Sequence, residues 1–361
     1  MFGGGGSSEV KRVYERRLEE FEMISSAPMT YWADPDIRGL YESDVVFDAQ
    51  NAELDRGSLG VVKQGLATAN DDRFTRYHWE SDGNAFWVPF AKGGVETWML
   101  PPIRLVINWN NDGLEVERFE ASYVKNVEHY FQEGITYAAT KRRGRRFGLL
   151  HEQIVFSVKG AAVLPDADPL PVLAYGNSNL GTYLMLCQTA EREWQVGAVS
   201  KLPWDPALEE NDELRSLTSQ AIGQIIALRQ SKSSSPYFTA PWLLRVQGHN
   251  QVLHSHDGHP HRELSERLEV PQIDNAGKET SLKDLSIQVE RFRQNCQQRL
   301  EDCSADIDQM VFNHFGISDE QKEEILREIA YRTIEDPRKR PEYDPDSVRE
   351  PPEDHPDLVK R

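Results

Sequence analysis

The apolar residues of this chain change their period near Asp205, and that change decides its fold class. From Pro28 to Pro203 short apolar and aromatic runs, such as Ala85 to Phe90, Arg104 to Trp109 and Gln153 to Val158, are cut by Gly, Pro, Asn and Asp. Such runs between turn residues predict strands joined by tight turns. Within them Leu180, Tyr183, Leu184 and Cys187 recur at helical spacing and predict one short helix. Beyond Asp205, Leu214, Leu217, Ala221, Ile225 and Leu228 share a helical face, with Asn211 or Asp212 as its cap. Ile287, Phe292, Cys296, Leu300, Cys303, Ile307 and Val311 form a second stripe. Gly316 is its stop, and Ser318 with Gln321 is a capping box for the next helix. The expectation is an α+β fold, strand-rich first and helical afterwards.

Texture also divides the chain. Residues 1–27 hold the Gly run Gly3 to Gly6 and an amphipathic helix over 9–24, on Val10, Val13, Tyr14, Leu18 and Phe21. Residues 28–203 read as the strand-rich domain and 204–335 as the helical one, since 361 residues suit two linked domains. The stretch 231–285 is rich in Ser, His, Gly and Pro and reads as an insertion with a strand at Trp242 to Val246. Residues 336–361 repeat Pro among both charge signs and read as a disordered tail.

Composition matters here through charge. The chain carries 59 acidic against 41 basic residues, a formal net charge of −18, yet Lys141, Arg142, Arg143, Arg145 and Arg146 stand together around Gly144. An acidic chain has no general reason to gather five cations, so the cluster points to a strongly anionic partner, with phosphate the first candidate. A solvated basic face is the plainer alternative. Three cysteines without C-x-x-C spacing argue for a reducing compartment. No run approaches a membrane span, so a cytoplasmic protein is expected.

The remaining motifs come in a fixed order. Gln64 to Phe74 is a Gly turn, a polar loop and a closing aromatic. Val106 to Gly113 is a strand ending in an Asx-rich turn. Gly134-Ile135-Thr136-Tyr137, the basic cluster, and Gln195-Val196-Gly197 leading to Leu202-Pro203 follow. In this order and spacing the set resembles the C-terminal half of the large adenine-specific DNA methyltransferases of the PglX kind, found in BREX phage-defence systems, and their type IIG restriction-modification relatives. The resemblance covers about 28–330 and includes the closing pattern Ile307 to Gly316. It implies a target-recognition domain followed by helices that pack around double-stranded DNA. S-adenosylmethionine and the chemistry then belong to a methyltransferase catalytic domain or subunit elsewhere, and other defence-system proteins are further partners.

Under that resemblance the arginines of the cluster bind phosphates, or one of them reaches guanine with its fork. Thr68, Asn70, Arg73, Asn108, Asn110 and Asn111 are candidates for reading base edges. Turn formation by Asx side chains is the preferred reading of Asn110 to Gly113, and core packing that of Trp109. Methylation of adenine uses an Asn/Asp-Pro-Pro-Tyr loop. Asp168-Pro169 and Asp336-Pro337 lack its second Pro and its aromatic. No catalytic, cofactor-binding or metal residue is therefore assigned.

Two other classes compete. A protein-interaction subunit would use the amphipathic helices at 9–24 and 287–330, and the acidic surface suits it. A metal-dependent hydrolase would use His249, His254, His256, His259 and His261, where His254 to His259 nearly matches H-x-H-x-D-H with the Asp one place early. A solvated loop is the preferred reading of those histidines.

Overall fold

The computed structural model describes residues 16–26, 28–81, 86–94, 97–140, 145–189, 193–247, 264, 267–276 and 280–332. Among these lie eleven short strands: β1 (Val45–Val46), β2 (Gly57–Ser58), β3 (Gly60–Lys63), β4 (Thr75–Tyr77), β5 (Trp87–Ala91), β6 (Leu105–Asn108), β7 (Gly134–Ala138), β8 (Phe147–Leu150), β9 (Val155–Phe156), β10 (Gly160–Pro165) and β11 (Pro203–Trp204). One sheet has the order β3-β10-β7-β8, antiparallel throughout. A second has the order β4-β6-β5-β9, with β5 and β9 parallel. A small third sheet, β11-β1-β2, ties Val45 to Trp204 and to Gly57.

The first sheet is buried on both faces, which is why its strands read as continuous apolar runs. Successive side chains of a strand point to opposite faces. Along β10, Ala161 and Val163 therefore enter one core while Ala162 and Leu164 enter another. The second core also takes Phe74, Phe90, Ile107 and Phe156 from the region of the other large sheet. The first core receives helices from 169 onward and extends from Ile24 to Ile325. The fold is α+β, with the helical residues concentrated after β11.

The helices begin where local chemistry allows. Asp168 accepts from Leu170 N at 2.9 Å, and Pro169 opens the helix Pro169–Asn177. Ser178 caps Asn179–Gln188, and Asn211 caps Asp212–Arg229 by accepting from Leu214 N at 2.9 Å. The long helix Leu282–His314 stops before Gly316 at φ +64°. Ser318 and Gln321 then satisfy each other's backbone N–H ahead of the helix Asp319–Arg332. On the long helix Cys303, Ile307 and Val311 are buried in the first core. Leu285, Val289 and Phe292 pack on a small cluster with Trp242 and Val246. Ile287, expected on the same stripe, is 47% exposed, because near its N-terminus the helix contacts that small cluster rather than the main core.

Two sequence expectations change. Trp242 to Val246 is not a strand: Trp242–Arg245 is a helical turn after Pro241, with the Arg245 guanidinium buried against Gln230 Oε1 at 2.7 Å. So short an apolar run has no distinguishing period, which is why helix and strand could not be told apart in the sequence. The strand-rich segment also holds more helix than the single one expected, including short turns such as Pro35–Gly39 and Val196–Ser200 and the helix Pro169–Asn177, every residue of which from Pro171 to Asn177 is buried. Of the helix expected over 9–24, Glu19–Glu22 is helical, and residues before 16 lie outside the described residues. So do the tail 336–361 and most of the insertion's histidine stretch. Among the described residues no helix is long and apolar enough to cross a membrane. The three cysteines are buried and unpaired.

Candidate functional site

Trp98 stands between two surface openings, and its position follows from the edge of β8. Met99 N–H donates to Phe147 O at 3.0 Å, and Leu149 N–H donates to Met99 O at 2.9 Å. The Thr97 hydroxyl donates to the Arg146 carbonyl. Gly148 allows this approach, since a Cβ there would lie 2.3 Å from Thr97 O and 2.7 Å from Pro101 Cδ.

The first opening, about 220 Å³, is lined by Trp98, Pro102, Ile225, Arg104, Arg229, Lys232, Ser234 and Ser235. Three cations and two hydroxyls thus face one space, and among the described residues no carboxylate is in its lining. Arg229 closes the helix Asp212–Arg229, where the helix dipole favours positive charge, and Lys232 follows three residues later. Arg104 enters from the start of β6 and needs another reason to be there. Neither Arg104 nor Lys232 has a side-chain hydrogen bond or ion pair among the described residues.

The second opening, about 750 Å³, lies between Trp98, Arg145 and the long helix at Gln297, Leu300, Glu301, Ser304 and Asp308. Arg145 is held across it. Its guanidinium donates to Ser304 Oγ at 2.6 Å, pairs with Asp308 Oδ2 at 3.1 Å and lies 5.5 Å from the Trp98 ring centre. Asp308 also accepts from Asn179 N at 2.6 Å and Asn179 Nδ2 at 2.7 Å, which docks the long helix on the start of Asn179–Gln188. Burial pushes the Asp308 carboxyl above its usual range, against the pull of Arg145 and the Asn179 amide.

The expected basic cluster is therefore divided. Arg146 is 1% exposed, with its guanidinium 4.5 Å over the Trp194 ring and Nη1 donating to Ala138 O at 3.5 Å. Arg145 is joined to the long helix. Lys141, Arg142 and Arg143, with Gly144, lie outside the described residues.

The polar loop of Thr68, Asn70 and Arg73 precedes β4. Thr68 is 2% exposed and its hydroxyl donates to the Asp71 carboxylate, which also pairs with Lys92. Asn70 caps the turn Asp71–Phe74 by accepting from Arg73 N at 3.1 Å. Arg73 is exposed and lies over the rings of Phe74 and Phe119, at 5.3 and 5.2 Å. At the Asx-rich turn, Asn108 Oδ1 accepts from Asn110 N at 3.0 Å, and Asn111, Asp112 and Gly113 all have positive φ. Asn110 and Asn111 are exposed at its tip. Trp109 packs edge-on against Tyr130 at 5.4 Å, over the second core.

One feature escaped the sequence reading. Tyr77 and Trp79 stack at 4.6 Å with planes 4° apart, and both are exposed. The available signal was Tyr77-His78-Trp79, two aromatics spaced by two where β4 ends and a turn begins. The pair is joined to the strand that Arg104 leads into: Tyr77 is paired with Leu105, and His78 N–H donates to Arg104 O at 2.8 Å.

Asp168-Pro169 forms no loop for accepting a base, because Asp168 caps a helix and pairs with Arg215 Nε at 2.6 Å. Among the described residues no three His, Cys, Asp or Glu side chains could hold a metal ion, and His249, His254, His256, His259 and His261 lie outside them.

The fold and this surface define an α+β chain in which a helical layer backs two sheets that share a core and carry loops and cations at their edges. Over 211 residues it is 28% identical to the adenine-specific methyltransferase BrxX of Escherichia coli O9:H4 (strain HS), a match covering 56% of this chain and 17% of that protein. Over 247 residues it is 24% identical to the adenine-specific methyltransferase PglX of Lacticaseibacillus casei (strain Zhang), covering 62% of this chain and 19% of that protein. The chain is homologous to these adenine-specific methyltransferases across the matched residues, and the matches span less than a fifth of their length. No protein-family model matches the chain. A solved structure of the Type IIL restriction-modification enzyme MmeI in complex with DNA overlaps 68% of this chain and 36% of its own, at 11% identity and a TM-score of 0.31.

Proposed function

We propose that this chain is the DNA-recognition part of an adenine-specific methyltransferase system, docking on duplex DNA and presenting an adenine to a catalytic domain held elsewhere. The observation that carries the reading is the opening beside Trp98, where Arg104, Arg229 and Lys232 converge in a chain of net charge −18. Homology to adenine-specific methyltransferases supports it. Arg104 and Lys232 bind backbone phosphates at the opening, while Lys141, Arg142 and Arg143 add further phosphate contacts. Asn70, Arg73, Asn110 and Asn111 are the exposed candidates for base edges. S-adenosylmethionine belongs to the catalytic partner, and no methyl-transfer step is assigned to this chain.

The test is duplex affinity measured against salt. Each phosphate contact contributes about 0.9 to the slope of log K on log salt. Replacing Arg104, Arg229 and Lys232 together by Gln should reduce that slope by about 2 to 3 and weaken all sequences alike. An unchanged slope would sink the assignment of the opening. Absence of duplex binding by the unmodified chain at low salt would sink DNA recognition. The protein-interaction reading is favoured by one observation, the exposed apolar residues Leu282 and Ile287 on the long helix. It predicts a stable complex with another defence-system subunit that survives loss of the cations.

A further inference from the structure

We infer that the stacked pair of Tyr77 and Trp79 is a platform for an unpaired nucleobase. The inference rests on the DNA-recognition reading and adds which form of DNA this surface prefers. The residues are 45% and 48% exposed, too open for burial in a core to account for the pair. The rings are nevertheless held. Tyr77 N–H donates to Glu80 Oε2 at 2.8 Å, and Glu80 N–H returns to Tyr77 O at 2.9 Å. The His78 ring meets Trp79 edge-on at 4.9 Å.

Two parallel rings already stacked at 4.6 Å lose little freedom when a third flat ring is added. Every base has a face that suits such a stack, and an aromatic platform of this kind accepts bases without reading their edges. In paired duplex DNA those faces are covered by neighbouring bases, so the platform selects a bulged, extruded or single-stranded nucleotide. Charge fits the same ligand. Arg104, whose carbonyl accepts from His78 N–H, places an exposed cation with no side-chain partner among the described residues at the same end of the sheet, a source of attraction for the phosphate that accompanies the base.

The experiment compares two labelled DNAs by fluorescence anisotropy at low salt, using the full chain: a paired duplex, and the same duplex with one unpaired central adenine. The unmodified chain should bind the bulged DNA about tenfold more tightly, within the range for one stacked base. Trp79→Ala or Tyr77→Ala should bring the ratio close to one, while Trp79→Phe, which keeps a flat ring, should retain most of it. A 2-aminopurine in the bulge should be quenched by the unmodified chain and not by Trp79→Ala. Equal binding of both DNAs by the unmodified chain, or a ratio that survives the alanine changes, overturns the platform and leaves DNA recognition standing. Failure to bind either DNA overturns both.

Discussion

Arg146 holds its guanidinium 4.5 Å over Trp194 in the interior, where the indole face and the Ala138 carbonyl replace part of its lost hydration. Its side chain fills core volume as well as carrying charge. Arg146→Ala should therefore lower unfolding stability by about 2–4 kcal/mol, read from urea denaturation, while Arg146→Met, which keeps much of the volume, should cost less. Asp71 offers a second test. Partial burial pushes its carboxyl up, but hydrogen bonds from Lys92 and Thr68 outweigh that and hold it below the usual carboxylate value. A carboxyl depressed in the folded state contributes stability that is present above the unfolded value, about 3.9, and lost as pH falls through the folded one. Denaturation at pH 5 and pH 3 should show a smaller acid loss for Asp71→Asn than for the unmodified chain.

At the scale of elements, Asp308 behaves in the opposite sense. Burial raises its carboxyl, so the folded chain takes up a proton at a pH where the unfolded chain has not, and this contribution to stability falls as pH rises through that window. Asp308→Ala would leave the Asn179 amide and Arg145 without this acceptor and should cost about 1–3 kcal/mol. Asp308→Asn keeps one acceptor and should cost less, with the pH slope removed. Gly148→Ala should displace the Thr97–Pro101 segment, costing about 1–3 kcal/mol, and weaken duplex binding through the shifted Trp98. Such effects also mark the limit of what the sequence discloses. The cap at Asn211, the stop at Gly316 and the box of Ser318 with Gln321 were legible because each depends on a few neighbouring residues. The helix Pro169–Asn177 was not, since burial on all sides removes the polar stripe that reveals a helix. The inward turn of Arg145 and Arg146 was equally hidden, because it is set by Trp98, Trp194 and Asp308 from distant segments. At the site, Arg104, Arg229 and Lys232 are too far apart in sequence to read as a cluster, and only their packing around Trp98 gathers them.

At the scale of the whole molecule, the two main cores are coupled through one sheet. Strand β10 sends Val163 to the first core and Leu164 to the second, so neither core can loosen fully without disturbing the strand that closes the other. The surface beside Trp98 depends on this coupling: Arg104 leads into β6 on the second core, while Arg229 ends a helix on the first and Lys232 follows it. Both cores should accordingly unfold in one transition. Leu164→Ala should cost about 2–5 kcal/mol, and Val163→Ala should cost less because it removes less volume. Each should lower by similar amounts the hydrogen-exchange protection of the most protected amides in β5 and β6 and in the helix Asp212–Arg229. If Leu164→Ala loosened β5 and β6 alone, the second core would be a separate unit. The opening beside Trp98 would then be a joint between two bodies, and phosphate affinity would vary with their relative motion. Uniform loss of protection would mean that the cations are held at fixed spacing, as a surface that sets register on a regular phosphate backbone requires.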